Sequence, residues 1–273
     1  MNLPMNRPWP SRLVRRLPAA RPTPEKGYGA EAPFVNLLAA VFICFAPAVM
    51  AGEAMAAEKP LKIYVLGDSL TAGHGVSAEQ SFPSRLQAAL RRRGHAVRVL
   101  NGGVSGDTTA GGRARLGWAL KDRPDAFIVE LGGNDALRGI APAATRRNLD
   151  AILGRLGQEG IPALLAGWKA PRNLGPEYVG AFEAVFPALA RKHGVLFYPF
   201  ILEGVALRPE LNQGDGIHPN ARGVARMVEG IVALVERLIA RARQKKPANG
   251  TISSRWTLGT LPPKVSTSIS RTA

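Results

Sequence analysis

Five short apolar runs, each followed by a longer segment with helical spacing of its apolar residues, restrict the architectures open to this 273-residue chain more than any other feature. The runs occupy residues 61–66, 97–100, 126–131, 161–166 and 195–198. A strand that is apolar along its whole length is covered on both faces, as in a parallel sheet. Strands alternating with helices place those covers above and below one sheet. The expected fold class is therefore α/β, a three-layer α/β/α sandwich around a flavodoxin-like five-stranded parallel sheet in the order 2-1-3-4-5. Helices are expected over 82–93, from 105–109 through Leu120, over 143–159 and 177–193, and from about 220 to 241.

The ends of the chain read differently. Residues 1–58 open with a Pro-rich basic stretch containing Arg7, Arg12, Arg15, Arg16, Arg21 and Lys26, pass through an apolar run at 34–50, and reach small residues at 51–57. That order describes a secretory signal peptide, with cleavage after Ala51 or Ala56, and so an exported, periplasmic or secreted protein. A single folded domain is expected over 59–241, and a basic disordered tail over 242–273. The net charge of +16 is unevenly spread: residues 241–273 hold seven basic side chains and no acidic one. No aromatic-interleaved basic stripe marks a nucleic-acid surface, so no nucleic-acid partner is expected. A basic surface does favour transient contact with an anionic membrane surface. The one cysteine, Cys44, lies in the leader, which leaves the mature chain without disulfides, thiolate chemistry or Cys-bound metals.

The chemistry concentrates where strands end. Gly67-Asp68-Ser69 follows the first strand, Ser105-Gly106-Asp107 the second and Gly132-Gly133-Asn134-Asp135 the third. In a parallel sheet these loops share the edge at which ligands bind. Ser69 there is either the N-cap of the next helix or a nucleophile. If it is a nucleophile, its own amide, the Gly106 amide and the Asn134 side chain can converge on one oxyanion. The base is offered by Asp215-Gly216-Ile217-His218-Pro219, where a carboxylate three residues before a histidine can hold one ring nitrogen while the other faces the serine. His74 is the rival base, but it has no carboxylate at comparable spacing. His95 and His193 sit beside Gly94 and Gly194 at helix ends, where a cation suits the helix dipole. Residues 73–78 fit a loose dinucleotide fingerprint but begin too far past the strand, and no acidic residue ends the second strand. Thr71 excludes the G-x-S-x-G elbow. Asp68, Asp107, Asp135 and Asp215 are spread over loops that have other roles, so no metal and no cofactor is expected.

The blocks Gly67-Asp68-Ser69-Leu70, Ser105-Gly106-Asp107-Thr108, Gly132-Gly133-Asn134-Asp135 and Asp215-Gly216-Ile217-His218-Pro219-Asn220 resemble those of the SGNH, or GDSL, hydrolases. The likeness is nearest to the periplasmic arylesterase and thioesterase/lysophospholipase branch, and it covers roughly residues 61–238. It implies Ser69 as nucleophile, Asp215 and His218 as its partners, and Ser69, Gly106 and Asn134 as the oxyanion hole. It also implies a small-molecule ester, thioester or lipid substrate. The sequence departs from the branch at His74-Gly75, where relatives often carry an aromatic residue. His74, Trp168, Pro171, Leu174 and Tyr178 are the residues expected to face substrate. A carbohydrate acetylesterase and a non-catalytic lipid- or ester-binding protein on the same fold are the alternatives.

Overall fold

The computed structural model describes residues 59–245. The expected signal peptide and most of the expected tail, residues 1–58 and 246–273, lie outside them. Five strands form the sheet: β1 (Leu61–Gly67), β2 (Val97–Gly103), β3 (Ala126–Glu130), β4 (Ala163–Ala166) and β5 (Leu196–Tyr198). All pair in parallel, in the order β2-β1-β3-β4-β5. Seven α-helices lie among the described residues: α1 (Ser69–Ala72), α2 (Phe82–Arg92), α3 (Thr109–Lys121), α4 (Gly133–Leu137), α5 (Pro142–Gln158), α6 (Pro176–His193) and α7 (Ala221–Lys245). Helix α7 runs four residues past the boundary expected at Arg241, because Ala242 is still buried against the core.

Strand side chains alternate between two cores, as the period of two requires. Ile63 and Val65 of β1, Ile128 of β3 and Leu164 of β4 pack beneath α2 and α7, with Phe82, Leu86, Leu90, Ile231 and Val235. Leu66, Phe127, Val129 and Leu165 face the opposite layer, where α3, α5 and α6 supply Leu116, Leu149, Ile152, Phe182 and Phe186. Burying a side chain of this size contributes about 1.5–3 kcal/mol. Both faces of β1 and β3 are therefore fixed, and with them the edge on which their C-terminal loops meet.

His95 and His193 do more than end helices. His95 Nε2 lies 3.1 Å from Glu236 on α7, and His193 Nε2 lies 2.6 Å from Asp150 on α5, so each ties its helix end to a neighbouring helix.

Candidate active site

β1 ends at Gly67 because nothing larger fits: a Cβ there would collide with Thr71 Oγ1 and Glu130 Oε2. Asp68 caps α1 by accepting a hydrogen bond from the Leu70 amide at 3.1 Å, which starts the four-residue helix at Ser69. The helix closes at Gly73 in the left-handed conformation. Ser69 Oγ is 3.0 Å from His218 Nε2, and His218 Nδ1 is 2.6 Å from Asp215 Oδ2. Asp215 Oδ1 also accepts from the amides of Ile217 and His218, at 2.9 and 3.0 Å. Those bonds, the His218 amide first, hold the Asp215 carboxyl far below the ordinary aspartate range. It stays ionised at any pH at which the protein works, and it fixes the tautomer in which Nδ1 carries the proton and Nε2 is free to accept one.

The loop carrying Asp215 and His218 is anchored at both ends. Asn220 caps α7 through the amides of Arg222 and Gly223 at 2.9 and 3.1 Å, while its Nδ2 donates to the carbonyls of Glu210 and Asn212. Gln213 Nε2 donates to the carbonyls of His74 and Pro219, at 2.8 and 3.0 Å. This amide ties the turn after the serine to the turn bearing the histidine.

Gly106 has φ of +79°, a conformation that a side-chain-bearing residue adopts only with strain. Its carbonyl accepts from Arg138 at 2.8 Å, turning the peptide at the mouth of the site. Asn134 lies on α4 and donates through Nδ2 to Asp68 Oδ2 at 3.2 Å and to the Asp107 carbonyl at 3.0 Å. Both of its N–H bonds are thus in use, the longer one, to Asp68, being the weaker.

Two supports stand behind these loops: Arg115, which had no signal in the sequence, and Glu130, which lies in the block Val129-Glu130-Leu131 that also resembles the arylesterase and thioesterase branch. Arg115 on α3 donates to Asp107 Oδ2 at 2.7 Å and to the carbonyls of Gly102 and Gly67 at 2.7 and 2.8 Å, clipping the ends of β2 and β1 together. Beneath the serine, Glu130 is fully buried at the end of β3. Its Oε2 accepts from Thr71 Oγ1 at 2.7 Å and from the Asp68 amide at 3.4 Å. Burial first, and the charge of Asp68 second, push the Glu130 carboxyl well above the ordinary range. Oε2 receives both donors, while Oε1 has no well-formed hydrogen bond among the described residues. Asp68 is itself raised to about 6 by burial, against the lowering pull of the Leu70 amide.

Ser69, Asn134 and His218 border a notch of about 100 Å³ together with Gly133, Leu137, Trp168 and Ile217. The last four of these also line a larger cavity of about 730 Å³, which does not touch Ser69 but opens beside it. Its walls include Ala170, Pro171, Phe200, Leu202 and Leu207. Trp168 and Pro171 thus face the space expected for substrate. Leu174 and Tyr178 do not line it; the Tyr178 hydroxyl donates to the Ile140 carbonyl and its ring stacks on Phe182. His74 lies on the other side of Ser69, with its ring centroid 4.5 Å from that of His218.

A parallel α/β sheet with a hydrogen-bonded serine, histidine and aspartate at its C-terminal edge, and the serine opening a short helix, has the layout of a serine hydrolase of the SGNH type. Comparison with known proteins agrees. Residues 65–226 match the GDSL-like lipase/acylhydrolase family, and the chain belongs to it. It is 41% identical over 170 residues to esterase TesA of Pseudomonas aeruginosa, covering 62% of this chain and 85% of that one. It is 39% identical over 187 residues to an arylesterase of Vibrio mimicus, covering 68% and 90%. The crystal structure of AlinE4, an SGNH-hydrolase family esterase, superposes with a TM-score of 0.56 at 46% identity, covering 65% of this chain and 96% of that one.

Proposed function

We propose that this protein is a serine esterase that cleaves carboxylic esters of apolar acyl groups through an acyl-enzyme. The observation that carries this reading is the unbroken hydrogen-bonded line from Ser69 Oγ through His218 to Asp215, at 3.0 and 2.6 Å. Ser69 Oγ attacks the ester carbonyl while His218 Nε2 takes its proton. Asp215 stabilises the imidazolium that results. The oxyanion is met by the amides of Ser69 and Gly106 and by Asn134. His218 then hands its proton to the departing alcohol or thiol, and water resolves the acyl-enzyme by the same route.

The cavity beside the notch suits an aliphatic or aromatic acyl chain better than an acetylated sugar, since most of its wall is apolar. Leu137, Leu207 and Ile217 stand exposed on that wall, at 54%, 94% and 49%. An amphiphilic ester or lysolipid presented at a membrane surface fits such a rim. Among the described residues no helix is long and apolar enough to cross a membrane. Export, directed by the leader within residues 1–58, completes the proposal; sequencing the N-terminus of protein recovered from a native host would test it.

A fluorophosphonate ester applied to the purified protein is expected to label Ser69 alone, as located by mass spectrometry. Ser69→Ala should remove both the label and turnover of p-nitrophenyl butyrate by at least about three orders of magnitude. Labelling elsewhere, or turnover that survives the substitution, refutes the mechanism. Ligand binding unchanged in a wild-type protein that turns nothing over would favour a binding module.

A further inference from the structure

His74 is placed as no substrate contact needs to be. Its amide donates to the Ser69 carbonyl at 3.0 Å, and its own carbonyl accepts from Gln213 at 2.8 Å. The backbone is therefore pinned to both halves of the triad. The side chain is exposed, and neither ring nitrogen is hydrogen-bonded to another described residue. Its ring is tilted by 43° against that of His218. One ligand atom from each of His74, Asp215 and His218 lies within 4.8 Å of the other two.

We propose that these three side chains form an inhibitory site for a late first-row divalent cation such as zinc. The proposal rests on the reading of His218 as the catalytic base. Two imidazoles and a carboxylate are a borderline donor set, which selects zinc and its neighbours over magnesium or calcium. Zinc holds such ligands at about 2.0–2.2 Å in a tetrahedron, with donor atoms roughly 3.5 Å apart, so His74 must close on the other two while His218 Nδ1 and Asp215 Oδ2, now 2.6 Å apart, must open. An exposed His74 ring can make that movement by rotating. A fourth position is left to solvent.

The nitrogen of His218 that faces Asp215 is Nδ1, 2.6 Å from its carboxylate. Coordination through Nδ1 replaces that hydrogen bond and puts the ring proton on Nε2, which leaves no base facing the serine. The ion is therefore a reversible off-switch, and His74 is the ligand that completes its site.

The test uses the full chain without an affinity tag and free zinc set by a metal buffer. Turnover of p-nitrophenyl butyrate is expected to fall reversibly with zinc, to recover on adding EDTA, and to be unaffected by magnesium. His74→Ala and His74→Tyr, each compared with its own zinc-free rate, should need at least about tenfold more zinc for half-inhibition. Calorimetry on Ser69→Ala, which keeps all three ligands, should show one zinc per chain, and Ser69→Ala/His74→Ala should lose it. Zinc sensitivity in both His74 variants equal to that of the wild type, equal inhibition by magnesium and zinc, or no zinc bound by Ser69→Ala overturns the site. A protein that binds zinc through His74 but hydrolyses no ester would support the site while refuting the esterase reading.

Discussion

Asn134 carries the most specific chemical burden of any single residue in the proposed mechanism. Its amide already bridges Asp68 and the Asp107 carbonyl, so it is oriented before substrate arrives. Donors held in place before charge develops are those that catalyse most. Asn134→Ala should lower kcat for p-nitrophenyl butyrate by about 10²–10³, with KM changed only modestly, as steady-state kinetics will show. Leu207 is the converse case, a residue at odds with its local environment. It is 94% exposed and has φ of +64°, where a leucine is strained by about 1–2 kcal/mol. An exposed, strained apolar side chain at the rim of an apolar cavity points to a task in contacting the acyl chain. Leu207→Gly should raise KM for an octanoyl ester about threefold to tenfold, leave an acetyl ester nearly unaffected, and not lower the thermal midpoint.

At the scale of elements, the serine is held by a clamp between β3 and the turn into α1. Glu130 receives the Thr71 hydroxyl and the Asp68 amide from the turn, so β3 supports Ser69 from below. The clamp has a pH signature. Glu130 and Asp68 are both raised in the folded state, to about 6 for Asp68, so the folded chain binds more protons than the unfolded one above pH 4. Their contribution to stability is complete below the unfolded carboxylate range near pH 4 and is lost as pH rises through the folded values. Asp215, lowered instead, contributes above pH 4 and loses that contribution in strong acid. Glu130→Gln keeps an acceptor for Thr71 and removes one of the two titrations. Urea unfolding at several pH values should therefore show a shallower decline in stability between pH 5 and 8 than the wild type does. An unchanged slope would mean that Glu130 is ionised in the folded protein.

For the molecule as a whole, the sheet order and the five loop residues of the candidate site were legible in the sequence, because apolar runs and strand-end motifs are local. The supports were not. Arg115 and Gln213 act across 48 and 139 positions of sequence, and nothing at those positions announces the partner. Helices α1 and α4, of four and five residues, are too short to carry a period. Tyr178 has the composition of a substrate contact, but tertiary packing uses its hydroxyl and ring elsewhere. One consequence of the architecture concerns time. Ser69 stands at the end of the first strand and His218 149 positions later, beside the start of the last helix. A growing chain exposes the serine long before the histidine exists, and an N-terminal fragment that had already formed its sheet would still cleave nothing. Esterase activity thus reports a contact between the two ends of the domain, and an activity assay during refolding reads that long-range contact directly.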